Sequence, residues 1–297
     1  MSRRDAIALL AGAAFAPQLI GKPSAAMLTK AIPSSNEQLP VIGLGTWQSF
    51  DVGASESARK PVADVLALFA QLGGRVVDSS PMYGRSESVA GELAVKLGLR
   101  DDLFIATKVW TSGRKAGLSQ MEDSERKLRG RIDLMQVHNL VDADTHLATL
   151  REWKAAGRIR YIGITHYTAG AYDELATYLR RPGIDFVQLN YSLAEREAEQ
   201  RLLPLAAEKG VAVLVNRPFG AGSLFRETRN KPVPLFAKDL GATSWAELFL
   251  KFVISHPAVT CAIPATSKTE HLRQNMNAGR GPLPDAAMRK KIAAALL

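Results

Sequence analysis

Four side chains in this 297-residue sequence have the types and spacing to move a proton: Asp78, Tyr83, Lys108 and His138. A carboxylate, a phenol, an ammonium and an imidazole make a coherent device if one fold brings them together. Lys108 beside Tyr83 favours the phenolate and is expected to lower the phenol pKa from its usual value of about 10. Asp78 keeps Lys108 charged and in place, and His138 is free to orient a substrate oxygen. Singly, each has an ordinary explanation: a solvated strand-end lysine, a structural histidine, a packing tyrosine. Jointly they call for a scaffold that collects strand ends at one mouth.

The sequence pattern supplies such a scaffold. From Val41 onward, short β-rich runs alternate with longer segments of helical period, the order of a parallel sheet with crossover helices. The runs predicted as strands are 42–46, 75–79, 103–109, 133–138, 159–165, 185–190, 211–216 and 259–264. Eight such units predict a (β/α)8 barrel, whose chemistry sits at the C-terminal ends of the strands. Asp78, Lys108 and His138 lie at those ends, and Tyr83 follows five residues after Asp78, in a segment able to fold its ring back over them. Among the helices, Val62, Val65, Leu66, Phe69 and Leu72 form one apolar stripe ended by Gly73-Gly74. Ser86, Thr145 and Ser244 read as helix starts, and 197–209 as a single helix before Gly210. A doubly wound sheet is the rival, but no GxGxxG follows the first strand. Segments 28–32 and 39–41 predict a β-hairpin plug for the barrel bottom, 218–241 a long functional loop, and 285–297 a last helix on the outside or over the mouth.

Composition agrees. At 46% hydrophobic and 23% charged residues the chain is an ordinary globular one, which excludes disorder, collagen-like repeats and coiled coils. The net charge of +9 suits an anionic small molecule, yet the basic residues are scattered without interleaved aromatics, so nucleic acid is not an expected partner. The single cysteine, Cys261, rules out an intrachain disulfide and any CxxC site. At the N-terminus, Ser2-Arg3-Arg4-Asp5 precedes a modest apolar run from Ala6 to Pro17 and then small residues at Ala25-Ala26. This layout predicts a twin-arginine signal peptide over 1–26, with the barrel over 27–297 and a periplasmic location. The run is too short to span a membrane; the alternative is a frayed N-terminal helix on a cytoplasmic protein.

Several segments then carry a resemblance. Gly43-Leu44-Gly45-Thr46-Trp47, Val77-Asp78-Ser79-Ser80-Pro81-Met82-Tyr83-Gly84, Ala106-Thr107-Lys108-Val109, Asp133-Leu134-Met135-Gln136-Val137-His138, 157–165 and Val187-Gln188-Leu189-Asn190-Tyr191-Ser192 are similar to the aldo-keto reductases. The resemblance covers about Met27 to Ala278. It implies reduction of an aldehyde or ketone by direct hydride transfer from NADPH, with NADH possible, and a monomeric enzyme. Tyr83 is then the general acid, Asp78 and Lys108 tune it, and His138 orients the carbonyl. Cofactor contacts implied by the resemblance fall on Gly45, Thr46, Trp47, Thr165, His166, Gln188, Asn216, Arg217, Phe219, Gly222, Ser223, Thr266, Lys268, His271, Gln274 and Asn275.

The pattern departs from the family at several of these. Thr165-His166 stands where a Ser-Asn pair usually holds the nicotinamide amide, and Asn216-Arg217 where an aromatic ring usually stacks. Arg217 could stack or reach a phosphate. Ala265 and His271 replace the usual Lys and Arg of the adenosine segment, leaving Lys268 and Thr266 to hold a 2′-phosphate. Trp47, Trp110 and Phe50 are placed to wall the mouth, which suits an apolar or aromatic carbonyl compound. Two other readings compete: a nonenzymatic nicotinamide-binding or sensing barrel, and a hydrolytic metal held by Asp78, His138 and His166.

Overall fold

A computed structural model describes residues 25–296, so the candidate leader at 1–26 lies outside the described residues but for Ala25 and Ala26. The chain opens with an antiparallel hairpin, β1 (Thr29–Ala31) and β2 (Gln38–Pro40). Eight parallel strands follow: β3 (Leu44–Gly45), β4 (Val76–Asp78), β5 (Phe104–Val109), β6 (Ile132–His138), β7 (Ile159–Thr165), β8 (Phe186–Asn190), β9 (Ala212–Asn216) and β10 (Cys261–Ala262). Each pairs with the next in sequence order. Bridges Ile42 to Ala262 and Gly45 to Ala265 close the ring between β10 and β3. The two closing strands are thus shorter than their predicted runs, pairing across the seam by single bridges. Gly45 is needed there, because a Cβ on it would sit 2.7 Å from the Ile263 carbonyl oxygen.

The strands are apolar on both faces because both are covered. Inside, Phe104, Tyr161 and Phe186 pack with ring centroids 5.5 to 6.0 Å apart, and Ile32 and Leu39 of the hairpin join the same buried cluster. The Tyr161 hydroxyl donates to Glu37 at 2.8 Å, fastening the plug to the barrel wall. Outside lie α1 (Glu56–Gln71), α2 (Ser86–Lys96), α3 (Arg114–Lys127), α4 (Ala143–Ala155), α5 (Tyr172–Leu179), α6 (Leu202–Glu208), α7 (Ser223–Glu227), α8 (Trp245–Ile254), α9 (Thr269–Ala278) and α10 (Ala286–Ala294). The predicted stripe of α1 is its buried face, from Val62 to Phe69, and Leu72 caps the helix. α10 packs outside against α8, where Arg289 donates to Ser255 Oγ at 2.8 Å.

Two helix expectations are corrected. Ser244 caps α8, its Oγ accepting from the Glu247 amide, and α2 does start at Ser86, whose hydroxyl donates to the Thr46 carbonyl in place of capping the helix. α4 begins at Ala143, two residues before Thr145, after Asp142 in a left-handed conformation. The 197–209 segment divides into a 3-10 turn (Glu197–Glu199) and α6, because Pro204 has no amide hydrogen to donate and fits only the first turn of a new helix.

Candidate active site

Asp78 ends β4, Lys108 lies in β5 and His138 ends β6; Asp78 pairs with Ala106 and Lys108 with Gln136, so Lys108 and His138 each stand two residues beyond the register partner of the residue before them, toward the C-terminal ends of adjacent strands. A tight turn returns Tyr83 over them. The Tyr83 amide donates to the Ser80 carbonyl at 3.0 Å and the Ser86 amide to the Tyr83 carbonyl at 3.1 Å. Gly84, at φ +59°, lets the chain turn there, and a Cβ on it would meet the Asp51 carboxylate at 2.4 Å. Asp51 in turn accepts from the Arg85 amide at 3.1 Å, pinning the turn to the loop after β3.

Lys108 is fully buried, with Nζ 2.6 Å from Asp78 Oδ2, 2.7 Å from the Ser79 carbonyl and 5.1 Å from the centre of the Tyr83 ring. The other Asp78 oxygen accepts from the amide nitrogens of Gln136 at 3.2 Å and Gln188 at 2.8 Å. Burial works against the Lys108 charge, but Asp78 and the Tyr83 phenol outweigh it and its pKa lies above the usual lysine value. Tyr83 departs from expectation. Burial raises its pKa more than the Lys108 ammonium lowers it, so the phenol titrates above its ordinary range. His138 is held neutral: burial first, then Lys108 and His166, push its pKa down to about 3. Its ring stands edge-on to Tyr83 at 5.9 Å and 6.3 Å from that of Trp110, and its Nδ1 lies 3.0 Å from Ser80 Oγ.

The other expected positions fall into three groups. Thr165 and Gln188 continue the register beside His138 across β7 and β8. Asn216 pairs in register with Asn190, and the Asn216 Oδ1 and Asn190 Nδ2 atoms are both buried without a hydrogen-bond partner. His166 lies just beyond β7, its ring stacked on Tyr167 at 5.5 Å and its Nδ1 accepting from the Thr168 amide. Arg217 donates to the Tyr167 carbonyl at 3.2 Å and sits 5.7 Å from that ring, so its guanidinium is occupied by a loop tyrosine.

The second group is a pocket of about 300 Å³ lined by Phe219, Phe225, Ala246, Ala265, Thr266, His271, Gln274 and Asn275. It gathers residues from the 217–223 loop, the end of the barrel and α9. Gly222 and Ser223 belong to the same loop, which turns through the left-handed Gly222 into α7. Lys268 precedes α9 and is exposed, its amide donating to Thr266 Oγ1 at 3.1 Å. The third group is structural in its contacts. Gly45 makes the barrel seam, and Thr46 is fully buried with its hydroxyl on the Asp78 carbonyl and Ser79 Oγ, at 3.0 and 2.9 Å.

At the rim, Trp47 is 51% and Trp110 42% exposed. Phe50 does not join them: it is fully buried in the core between strands and helices, because the chain turns back after Thr46. Reading the sequence also missed Gln136 and Ser80, whose contacts with Asp78 and His138 no spacing displays. Among the described residues no group of three His, Cys, Asp or Glu side chains is arranged to hold a metal, so Asp78, His138 and His166 do not converge as ligands.

Comparison with known proteins places these features in a family. The model of the aldo/keto reductase family matches residues 41–294. Methylglyoxal reductase YeaE of Escherichia coli is 29% identical over 253 residues, spanning 82% of this chain and 86% of that protein. An aldo/keto reductase from Klebsiella pneumoniae, solved with NADP and acetate, superposes with a TM-score of 0.74 at 26% identity, covering 86% of this chain and 91% of that one. A Klebsiella pneumoniae aldo-keto reductase solved with NADPH gives the same TM-score and identity over 90% of this chain and 94% of that one.

Proposed function

The chain belongs to the aldo/keto reductase family and is an NAD(P)H-dependent oxidoreductase, and on that premise we propose that it reduces an apolar or aromatic aldehyde or ketone to the alcohol, with Tyr83 as general acid. The observation that carries the reading is the fully buried Lys108 ammonium, paired with Asp78 at 2.6 Å and set 5.1 Å from the centre of the Tyr83 ring.

Burial keeps the Tyr83 phenol protonated at neutral pH, the state a proton donor requires. As negative charge develops on the carbonyl oxygen, the Tyr83 hydroxyl hydrogen moves to it and the alcohol forms. The phenolate left behind faces Lys108, whose charge stabilises it in a site that excludes water. Asp78, braced by Gln136 and Gln188, prevents Lys108 from losing that charge. His138, neutral and edge-on to Tyr83, orients the carbonyl oxygen. Trp47, Trp110 and the half-exposed Met82 give the mouth an apolar rim, which supports an apolar or aromatic substituent on the substrate.

The residues present fit a dinucleotide. The unpartnered amide atoms of Asn190 and Asn216 lie beside Thr165 and Gln188 and suit the amide of a nicotinamide, while the pocket of about 300 Å³ offers Phe219, Gln274 and Asn275 to an adenosine. When bound, reduced nicotinamide supplies the hydride that the carbonyl carbon accepts. NADPH is the preferred form in this reading, in which Lys268 and Thr266 would hold its 2′-phosphate. We further propose that the 1–26 segment directs twin-arginine export. Fusing residues 1–30 to a reporter active only after export tests this, and purely cytoplasmic signal sinks it.

The central test is NADPH oxidation with an aromatic aldehyde, wild type beside Tyr83→Phe. Turnover in the wild type and its collapse in the variant support the reading. Saturable NADPH binding with no turnover of any carbonyl compound would overturn it in favour of a binding or sensing barrel.

A further inference from the structure

Ser80 lies in the turn after β4 and His138 at the end of β6, yet their side chains meet at 3.0 Å with both residues buried, Ser80 completely. We propose that Ser80 is a positioning residue that holds His138 in the tautomer with its proton on Nε2, by donating the Ser80 hydroxyl hydrogen to Nδ1. This rests on the reading of His138 as the group that orients the carbonyl oxygen, and it says what makes that group a donor.

Donor and acceptor capacity decides the tautomer. A serine hydroxyl has one hydrogen and two lone pairs, and a neutral imidazole has one N–H and one lone pair. Besides Nδ1, the only hydrogen-bond partner of Ser80 Oγ among the described residues is the Met82 amide, itself a donor, at 3.4 Å. Nδ1 is therefore the one acceptor within reach of the Ser80 hydrogen. If Nδ1 carried the imidazole proton, two donors would point at Ser80 Oγ and its own hydrogen would be buried with nowhere to go, an arrangement folded proteins avoid. With the proton on Nε2 every group in the triplet is satisfied. Among the described residues no carboxylate or backbone carbonyl hydrogen-bonds to Nδ1 to impose the opposite state. Nε2 has no hydrogen-bond partner among the described residues, so its hydrogen is available to a substrate oxygen.

The arrangement has a consequence for assembly. Ser80 and Tyr83 sit in one turn, held by the Tyr83 amide on the Ser80 carbonyl. The segment that presents the Tyr83 proton therefore also sets the second donor to the same oxygen.

Nitrogen NMR of protein labelled at histidine, at neutral pH and without substrate, reads the tautomer directly, with His138 assigned by the signal lost in His138→Gln. The expected spectrum has Nδ1 as the unprotonated and Nε2 as the protonated nitrogen. In Ser80→Ala the two tautomers should mix and kcat should fall about tenfold, the loss of one hydrogen bond, with NADPH affinity unchanged. Ser80→Thr, which keeps the hydroxyl, should restore both. A wild-type spectrum with the proton on Nδ1 overturns the proposal even if no variant folds, and so does a folded Ser80→Ala with an unchanged tautomer. Mixed tautomers in Ser80→Ala with undiminished turnover would leave the Ser80 assignment standing and remove His138 from carbonyl orientation.

Discussion

The polar floor beneath Tyr83 and the pocket beside α9, which sets Phe219 and Phe225 against Thr266, His271, Gln274 and Asn275, are built on opposite principles. In the floor, both Asp78 oxygens are engaged, by Lys108, Gln136 and Gln188, and Lys108 has no contact with solvent. Around the pocket, His271 and Lys268 are exposed and, among the described residues, neither forms an ion pair. The floor is finished before any ligand arrives, as electrostatic stabilisation of a transition state requires. The pocket leaves its polar groups for a ligand to complete.

The contrast is broken most severely at Tyr83. Tyr83→Phe removes the mobile proton and nothing from the floor's hydrogen bonds to Asp78. We expect kcat to fall about 1000-fold, the middle of the range for losing a general acid, with the melting temperature and NADPH affinity retained. Steady-state kinetics and cofactor titration check this, and a variant within tenfold of wild type would dismiss Tyr83 as the donor.

Asp78→Asn tests whether the floor is as interdependent as its contacts suggest. It leaves Lys108 charged and buried without a counter-charge, a change worth about 3 kcal/mol of folding stability. Urea unfolding should show that loss together with a large fall in kcat. The matching change at the pocket, Lys268→Ala, should leave unfolding unaltered, because that side chain is exposed and forms no ion pair among the described residues. Equal stability losses from the two would erase the distinction.

A pH series sharpens the comparison further. An unfolded histidine takes up its proton near pH 6.5, the folded His138 only near 3. Between those values the unfolded chain binds more protons, so this group makes the protein less stable as pH falls from 6.5 and adds no further loss below 3. His138→Gln should remove up to one proton from the slope of unfolding free energy against pH in that window. An unchanged slope would mean that the imidazole is not buried in its neutral form.

How much of this was legible in the sequence follows the same division. Asp78, Lys108 and His138 could be placed at one mouth because strand ends in a parallel barrel are fixed by periodicity. Tyr83 followed because its turn is five residues long. What escaped depends on distance in the chain. Gln188 lies 110 residues from Asp78, and its bond to that carboxylate shows only once the fold brings its amide nitrogen there. Phe50 reads as a rim residue because the sequence does not show the chain turning inward after Thr46. The direction of the Tyr83 pKa is not legible in the sequence, because proximity to Lys108 is visible in a motif, whereas desolvation is a property of the packed site. Helix 197–209 failed on Pro204, whose missing amide hydrogen outweighs a favourable apolar pattern.

The smallest predicted effect lies in the pocket. His271 lines it from the first turn of α9, where the family pattern usually has an arginine, and it is exposed. An imidazole there offers a single hydrogen-bond donor when neutral, against the five-donor fork of a guanidinium. His271→Arg should therefore tighten NADPH relative to NADH by about fivefold, the scale of one solvent-exposed ion pair. The gain should fade at high salt, since the pair is open to solvent. Because no buried group is touched, kcat with saturating cofactor and the unfolding midpoint should both stay at wild-type values. A ratio that does not move would place the 2′-phosphate away from α9 and return its recognition to Lys268 and the segment before the helix. A change in kcat at saturation would show instead that pocket and floor are coupled, and that the ligand-ready half of the site helps to set the geometry of the finished half.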